Sequence, residues 1–170
     1  MENGADELKV RAARLLKRAR AGEPDALSKL EQVGRFDPGD GRPQLRHCLS
    51  VVARDSGFDG YPHAREVLTS TGPCEDWGRL LCPPRCTGIT CIWSRDYDEA
   101  HSIRGETGGY LLGFRRDLFI ADAGYIESLG LRPDDPRWSA IGFDWVRPRE
   151  PALRVQLYLE LLRGEPRRAA

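Results

Sequence analysis

Lysine is almost missing from this 170-residue chain: Lys9, Lys17 and Lys29 are the only three, and arginine supplies the rest of the basic charge. Neither sign of charge is in excess. Lys plus Arg and Asp plus Glu both number 26, so the formal net charge is zero. That excludes a global electrostatic attraction to nucleic acid or to an anionic membrane. Histidine is scarce, with only His47, His63 and His101 to serve as bases or ligands. No run approaches the ~18 consecutive apolar residues that would span a bilayer. The opening stretch MENGADELKVRAARLLKRARAG carries acids early and lacks the apolar segment of a secretory signal, so a cytoplasmic address is expected. There is no C-x-x-C pair, no internal repeat and no low-complexity segment.

What is present is an ordinary globular composition, 40% hydrophobic and 31% charged. A chain of this length buries roughly two thirds of the surface its unfolded form exposes, enough for a core without staples. Four of the five cysteines, Cys74, Cys82, Cys86 and Cys91, fall within eighteen residues. In a reducing compartment they read as free thiols, metal ligands or a redox pair rather than a disulfide framework.

Periodicity predicts a helical first part. Leu8, Ala12, Leu15 and Ala19 form a stripe along a helix over Glu7–Ala21, stopped by Gly22. Pro24 opens a second helix through Leu27, Leu30 and Val33 that Gly34 ends, and Phe36–Pro43 is a turn-rich loop. A third helix over Pro43–Asp55 carries Leu45, Cys48, Leu49 and Val52. Pro62 is the first residue of a fourth helix carrying Ala64, Val67 and Leu68. Ser70-Thr71-Gly72-Pro73 marks a junction, followed by the cysteine loop Cys74–Cys86.

The remainder alternates. GITCIWS (88–94) reads as a strand and Asp96–Gly105 as a helix. GYLLGF (109–114) and LFIADA (118–123) read as a hairpin around Arg115-Arg116-Asp117. Short helices follow over Ala123–Leu131 and around Trp138, and Pro151–Arg163 closes the chain, leaving GEPRRAA as a tail. The expected fold is α+β: a helical subdomain (1–69) packed beside a small β-α-β-β-α unit (70–170) with a closing C-terminal helix.

Residues 10–69 carry a pattern of their own: Leu15-Leu16, Ala21-Gly22, Pro24, Ala26-Leu27, Ala53-Arg54, Gly57-Phe58 and Tyr61-Pro62. This resembles the helical segment that precedes the repeats in bacterial ankyrin-repeat proteins. The resemblance implies helices for the first third and a partner-binding role, and nothing catalytic. No T-P-L-H-x-A signature or 33-residue period follows it.

The cysteine cluster offers two chemistries. The spacing C-x7-C-x3-C-x4-C departs from zinc knuckles, yet Cys82-Pro-Pro-Arg-Cys86 could set two thiolates on one turn, with Cys74, Cys91 or His101 completing a zinc site. Alternatively Arg85 lowers the thiol pKa of Cys86, making it, or Cys82, a nucleophile. Against both, free cysteine commonly packs as a small hydrophobe. Among the carboxylates, Asp96, Asp98 and Glu99 suit the first turn of a helix, and Asp122 is either a projecting strand-end acid or the cap of the following helix. GETGGY (105–110) has helix before and strand after, the reverse of a phosphate cradle. Lys9, Arg11, Arg14, Lys17, Arg18 and Arg20 form a basic face whose plain reading is solvation.

The expectation is therefore a protein-interaction or small-ligand-binding protein. Its pocket is drawn from Cys82, Arg85, Cys86, Trp93, Tyr110, Arg115 and Asp122. The alternatives are a small enzyme with Cys86 as reactive thiol, or a structural zinc protein using Cys74, Cys82, Cys86 and Cys91.

Overall fold

The computed structural model describes residues 2–33, 36–37, 39 and 41–164. Four helices come first: α1 (Gly4–Arg20), α2 (Pro24–Gln32), α3 (Leu45–Asp55) and α4 (Tyr61–Thr69). The stripe Leu8, Ala12, Leu15 and Ala19 is buried as its spacing requires. The Asn3 side chain caps α1 by accepting from Asp6 N at 3.1 Å. Helix α1 starts three residues earlier than its stripe suggested, because the cap and not the apolar pattern sets the start. Gly34, the expected stop of α2, and the tail over 165–170 lie outside the described residues.

A single 3-10 turn (Pro84–Cys86) interrupts the cysteine loop, and then come β1 (Ile92–Ser94), α5 (Tyr97–Thr107), β2 (Tyr110–Phe114), β3 (Asp117–Ala121), α6 (Ala123–Leu129), α7 (Pro136–Ala140) and α8 (Pro151–Gly164). The fold is α+β, with one antiparallel sheet in the order β1-β3-β2. The strand expected over 88–94 shortens to its last three residues, paired Ile92 to Ile120 and Ser94 to Leu118. The hairpin holds as expected, with Leu111 opposite Ile120 and Gly113 opposite Leu118.

The hairpin turn places Arg115 at φ 51, left-handed for a residue with a β-carbon. Two bonds of 2.8 Å hold it there: Arg115 N donates to Gly78 O, and Trp77 N donates to Arg115 O. Gly113 then has a packing purpose. A β-carbon on it would stand 2.3 Å from the Trp77 indole, so only glycine lets that ring lie against the sheet.

One hydrophobic cluster runs from Leu8 in α1 through Trp77 and the hairpin to Leu162 in α8. Trp138, Trp145 and Tyr158 form an aromatic chain inside it, with ring centroids 5.4 and 4.8 Å apart. The outer edge of β2 is not open. Leu111 N donates to Phe143 O and Trp145 N donates to Leu111 O, each at 2.9 Å, so the loop after α7 lies along the sheet as a short parallel extension. This brings Asp144 beside α5. Among the described residues, no helix is long and apolar enough to cross a membrane.

Candidate functional site

Of the residues expected to form one pocket, Cys82, Arg85, Cys86 and Asp122 come together at α6, while Trp93, Tyr110 and Arg115 stand elsewhere. Asp122 is the N-cap of α6 and accepts from Tyr125 N at 2.8 Å. Tyr110 is buried, its hydroxyl donating to Pro133 O at 2.9 Å. Arg115 occupies the hairpin turn. Arg85 donates to Ser128 O and Leu129 O at 3.0 and 3.3 Å, capping the carbonyl end of α6. Its guanidinium is thus committed to a helix terminus. Trp93 is 48% exposed, stacks on Phe119 at 4.8 Å, and lines an open depression of about 420 Å³ with Ser94, Arg95 and Asp117. Ile92, 43% exposed, is its neighbour in β1 and lies on the opposite face of the sheet.

The four clustered cysteines divide into two groups, and Cys48 is buried in α3. Cys82, Cys86 and Cys91 gather around Tyr125, whose hydroxyl donates to Leu81 O at 2.8 Å. Cys74 lies apart, with Ser70 and Arg154. Among the described residues, no group of three or more His, Cys, Asp or Glu side chains is placed to hold a metal ion. Burial pushes the Cys86 thiol up, and the opposing pull of Arg85 is the smaller effect. Burial also pushes Cys91 up to about 11, with the neighbouring Cys82, Asp122 and Cys86 adding to it. Protonated thiols in an apolar setting are poor nucleophiles and pack as small hydrophobes.

A different constellation assembles between α5 and the loop after α7. A cavity of about 320 Å³ there is lined by Tyr97, His101, Arg104, Ile141, Gly142, Asp144, Arg147 and Arg149. Asp144 is its centre, with only 5% of its side chain exposed. Oδ1 accepts from Val146 N at 2.9 Å and from Arg147 N at 2.8 Å, an Asx-type turn that folds the loop back on itself. That bond pair alone would make Asp144 a loop organiser. Its second oxygen does something else: Oδ2 accepts from the Tyr97 hydroxyl at 2.5 Å and stands 3.6 Å from His101 Nδ1. Burial pushes the Tyr97 hydroxyl well above the ordinary tyrosine range, and its bond to Asp144 adds to this.

Tyr97 and His101 lie one turn apart on α5 and stack, with centroids 5.5 Å apart. The Arg147 guanidinium covers the other part of the Tyr97 ring at 3.8 Å, and Arg104 sits 5.7 Å over Phe143. The Arg104 Nε is buried without a partner. Arg149 closes the floor: a β-carbon on Gly142, at φ +77, would come within 3.1 Å of its Nε. Phe143 adopts φ 54, a left-handed conformation that is costly for an aromatic residue. Among the described residues, none of Arg104, Arg147 and Arg149 pairs with a carboxylate.

The sequence pointed to His101 as a spare metal ligand and as one of three histidines that could serve as a base, and its motifs left out Asp144, Arg104, Arg147 and Arg149. One signal was present: the segment IGFDWVRPR sets a lone acid among apolar residues and follows it with two arginines. An acid in such a run is either exposed or held by specific donors. The chain matches no protein-family model, no curated protein and no solved structure.

Proposed function

We propose that this chain is a cytoplasmic small-ligand-binding protein whose ligand is anionic and is held between α5 and the 141–149 loop. The observation that carries the reading is the trio Arg104, Arg147 and Arg149 around one cavity whose only lining carboxylate, Asp144, already accepts three hydrogen bonds. Three guanidiniums brought together repel one another, and a bound anion relieves that repulsion. The guanidinium fork matches the paired oxygens of phosphate and carboxylate. The cavity size falls at the small end of the range for ligand sites, which favours a compact anion or the head of a larger one.

The test is calorimetric titration of the purified chain with phenyl phosphate and with inorganic phosphate. Binding that weakens about tenfold in Arg147→Ala and in Arg149→Ala, and weakens again as salt is raised, supports the reading. Absence of binding to either probe at millimolar concentration sinks it.

A further inference from the structure

We propose that this pocket is also catalytic, with His101 as the general base that activates water against a phosphodiester; the proposal rests on the anion-binding reading above. Hydrogen-bond accounting decides which nitrogen of the His101 ring is free. The Tyr97 hydroxyl has one proton and gives it to Asp144 Oδ2. Its oxygen and Asp144 Oδ2 are then both acceptors, and they face His101 Nδ1 at 3.4 and 3.6 Å. Two acceptors beside one ring nitrogen assign the proton of the neutral imidazole to Nδ1, leaving the Nε2 lone pair free. The His101 side chain is 56% exposed, so that lone pair is open to a ligand and to water.

The other two histidines show the contrast. His63 accepts from Asp59 N at Nδ1 and bonds Asp76 O through Nε2. His47 accepts from Gln44 N at Nδ1 and faces Arg46 Nε with its other nitrogen. Both rings are consumed in local structure. His101 alone combines an oriented nitrogen with an unused one: the Tyr97 oxygen stands at hydrogen-bond distance from Nδ1 and holds the tautomer, and the buried carboxylate acts through that hydroxyl.

The carboxylate is itself held firmly. The Val146 and Arg147 amides fix Oδ1, and the buried Arg154 guanidinium fixes the carbonyls of Trp145 and Val146 immediately beyond it. The strained Phe143 precedes Asp144, and strain of this kind gathers at sites where geometry is imposed. The charged and titratable groups facing the ring are Tyr97 and Arg104 from α5, and Asp144, Arg147 and Arg149 from the loop.

The reaction balances without a redox partner. A water molecule gives a proton to His101 Nε2 as its oxygen bonds to phosphorus. The bond from phosphorus to the leaving oxygen breaks, its electron pair departs on that oxygen, which takes a proton from solvent, and Nε2 gives its proton to solvent. One phosphodiester and one water become a phosphomonoester and an alcohol. Arg104, Arg147 and Arg149 oppose the charge on the non-bridging oxygens, and this favours a phosphoryl group over a neutral acyl ester. Asp144 and Tyr97 act through His101 and are positioning residues.

The experiment follows p-nitrophenolate release from bis(p-nitrophenyl) phosphate by the full chain, with phenyl phosphate binding measured on every protein. Turnover by the wild type, a fall of kcat by about 100-fold or more in His101→Gln with phenyl phosphate binding kept, and a kcat loss at unchanged KM in Asp144→Asn are the expected results. A wild type that binds phenyl phosphate without turnover overturns the catalytic proposal and leaves the binding reading standing. A wild type that neither binds nor turns over ends both. Turnover undiminished in His101→Gln overturns the assignment of the base, and cleavage of p-nitrophenyl acetate in preference to the diester overturns the substrate class. Nitrogen-15 shifts of the wild-type His101 ring give a check that needs no variant: the Nδ1–H tautomer supports the proposal, and the Nε2–H tautomer overturns it.

Discussion

Arg154 Nη1 donates to the carbonyl oxygen of Trp145 at 2.8 Å, and that bond ties the closing helix to the loop carrying Asp144. The same guanidinium bonds Val146 O at 3.2 Å, and its Nη2 bonds Ser70 O and Gly72 O at 2.8 Å each. Four carbonyls from two distant parts of the chain thus converge on one fully buried cation, which also lies 5.4 Å from the Trp77 ring centroid.

The consequence is a steep cost for losing the fork. Arg154→Leu keeps most of the volume and takes the donor from the carbonyls of Trp145, Val146 and Ser70, while Gly72 O keeps the Ser70 hydroxyl, so a loss of about 3–5 kcal/mol is expected. Arg154→Lys fares little better, because an ammonium cannot span two carbonyl pairs. Urea unfolding monitored by tryptophan fluorescence measures both. A loss under about 1 kcal/mol in Arg154→Leu would contradict this account of the guanidinium.

Tyr97→Phe separates two contacts at the candidate site. The ring remains under Arg147, while Asp144 Oδ2 loses its donor inside the protein. The expected destabilisation is about 1–3 kcal/mol, the cost of a buried acceptor left unmade. If the unfolding midpoint does not move, solvent has replaced the hydroxyl and Asp144 is less enclosed than described.

Gly113→Ala tests the seat of Trp77. The new methyl would need to stand within 2.6 Å of three indole carbons, and neither the sheet nor the buried ring has room to yield. A loss of about 1–3 kcal/mol or more follows from overpacking, together with a changed near-ultraviolet tryptophan dichroism. An unaltered spectrum and midpoint would show the ring free to shift.

Stability should fall on the alkaline side. Burial pushes up the thiols of Cys48, Cys74, Cys86 and Cys91 and the hydroxyls of Tyr97, Tyr110, Tyr125 and Tyr158. The folded chain keeps protons that the unfolded chain releases above about pH 8.5 for thiols and about pH 10 for phenols. Stability is therefore fully present below the unfolded thiol range and declines as pH rises through it toward the folded value of Cys91, about 11. Urea midpoints at intervals from pH 7 to 11 should descend above about pH 8.5; a level series would contradict the burial of these groups.

The cysteines should be slow. At pH 7 a thiol reagent should find no rapidly reacting Cys86, which is 2% exposed with a raised pKa. Arg85→Ala should slow Cys86 further, since the opposing pull of Arg85 on that thiol is lost, and should loosen the end of α6, whose Ser128 and Leu129 carbonyls the guanidinium serves. A single fast thiol traced to Cys86 would revive it as a nucleophile.

Helix α1 was readable from Leu8, Ala12, Leu15 and Ala19, and the hairpin from two apolar runs flanking a polar turn, because these patterns are local and burial on one face enforces them. Strand β1 was only partly readable: Ile92–Ser94 pairs with β3, while the apolar residues Ile89 and Cys91 pack against the core from the loop instead. The Asp122 cap was legible as one of two choices, and the structure selects the local one. The candidate site was almost illegible. Tyr97 and Asp144 stand 47 positions apart and meet only because the loop after α7 adds itself to the edge of β2.

The sequence by itself determined the α+β class and the helical first third. It also determined a chain with no net charge and few histidines, because composition and period act over a few residues and leave little choice. Tertiary structure decided which polar groups have work left to do. It bound Arg85 to a helix end, His47 and His63 to nearby backbone amides, and Cys48 and Cys86 to the interior, and it left His101, Arg104, Arg147 and Arg149 facing one cavity beside a buried acid. That sorting depends on which donors and acceptors meet across long stretches of chain, and spacing along the sequence carries no record of it.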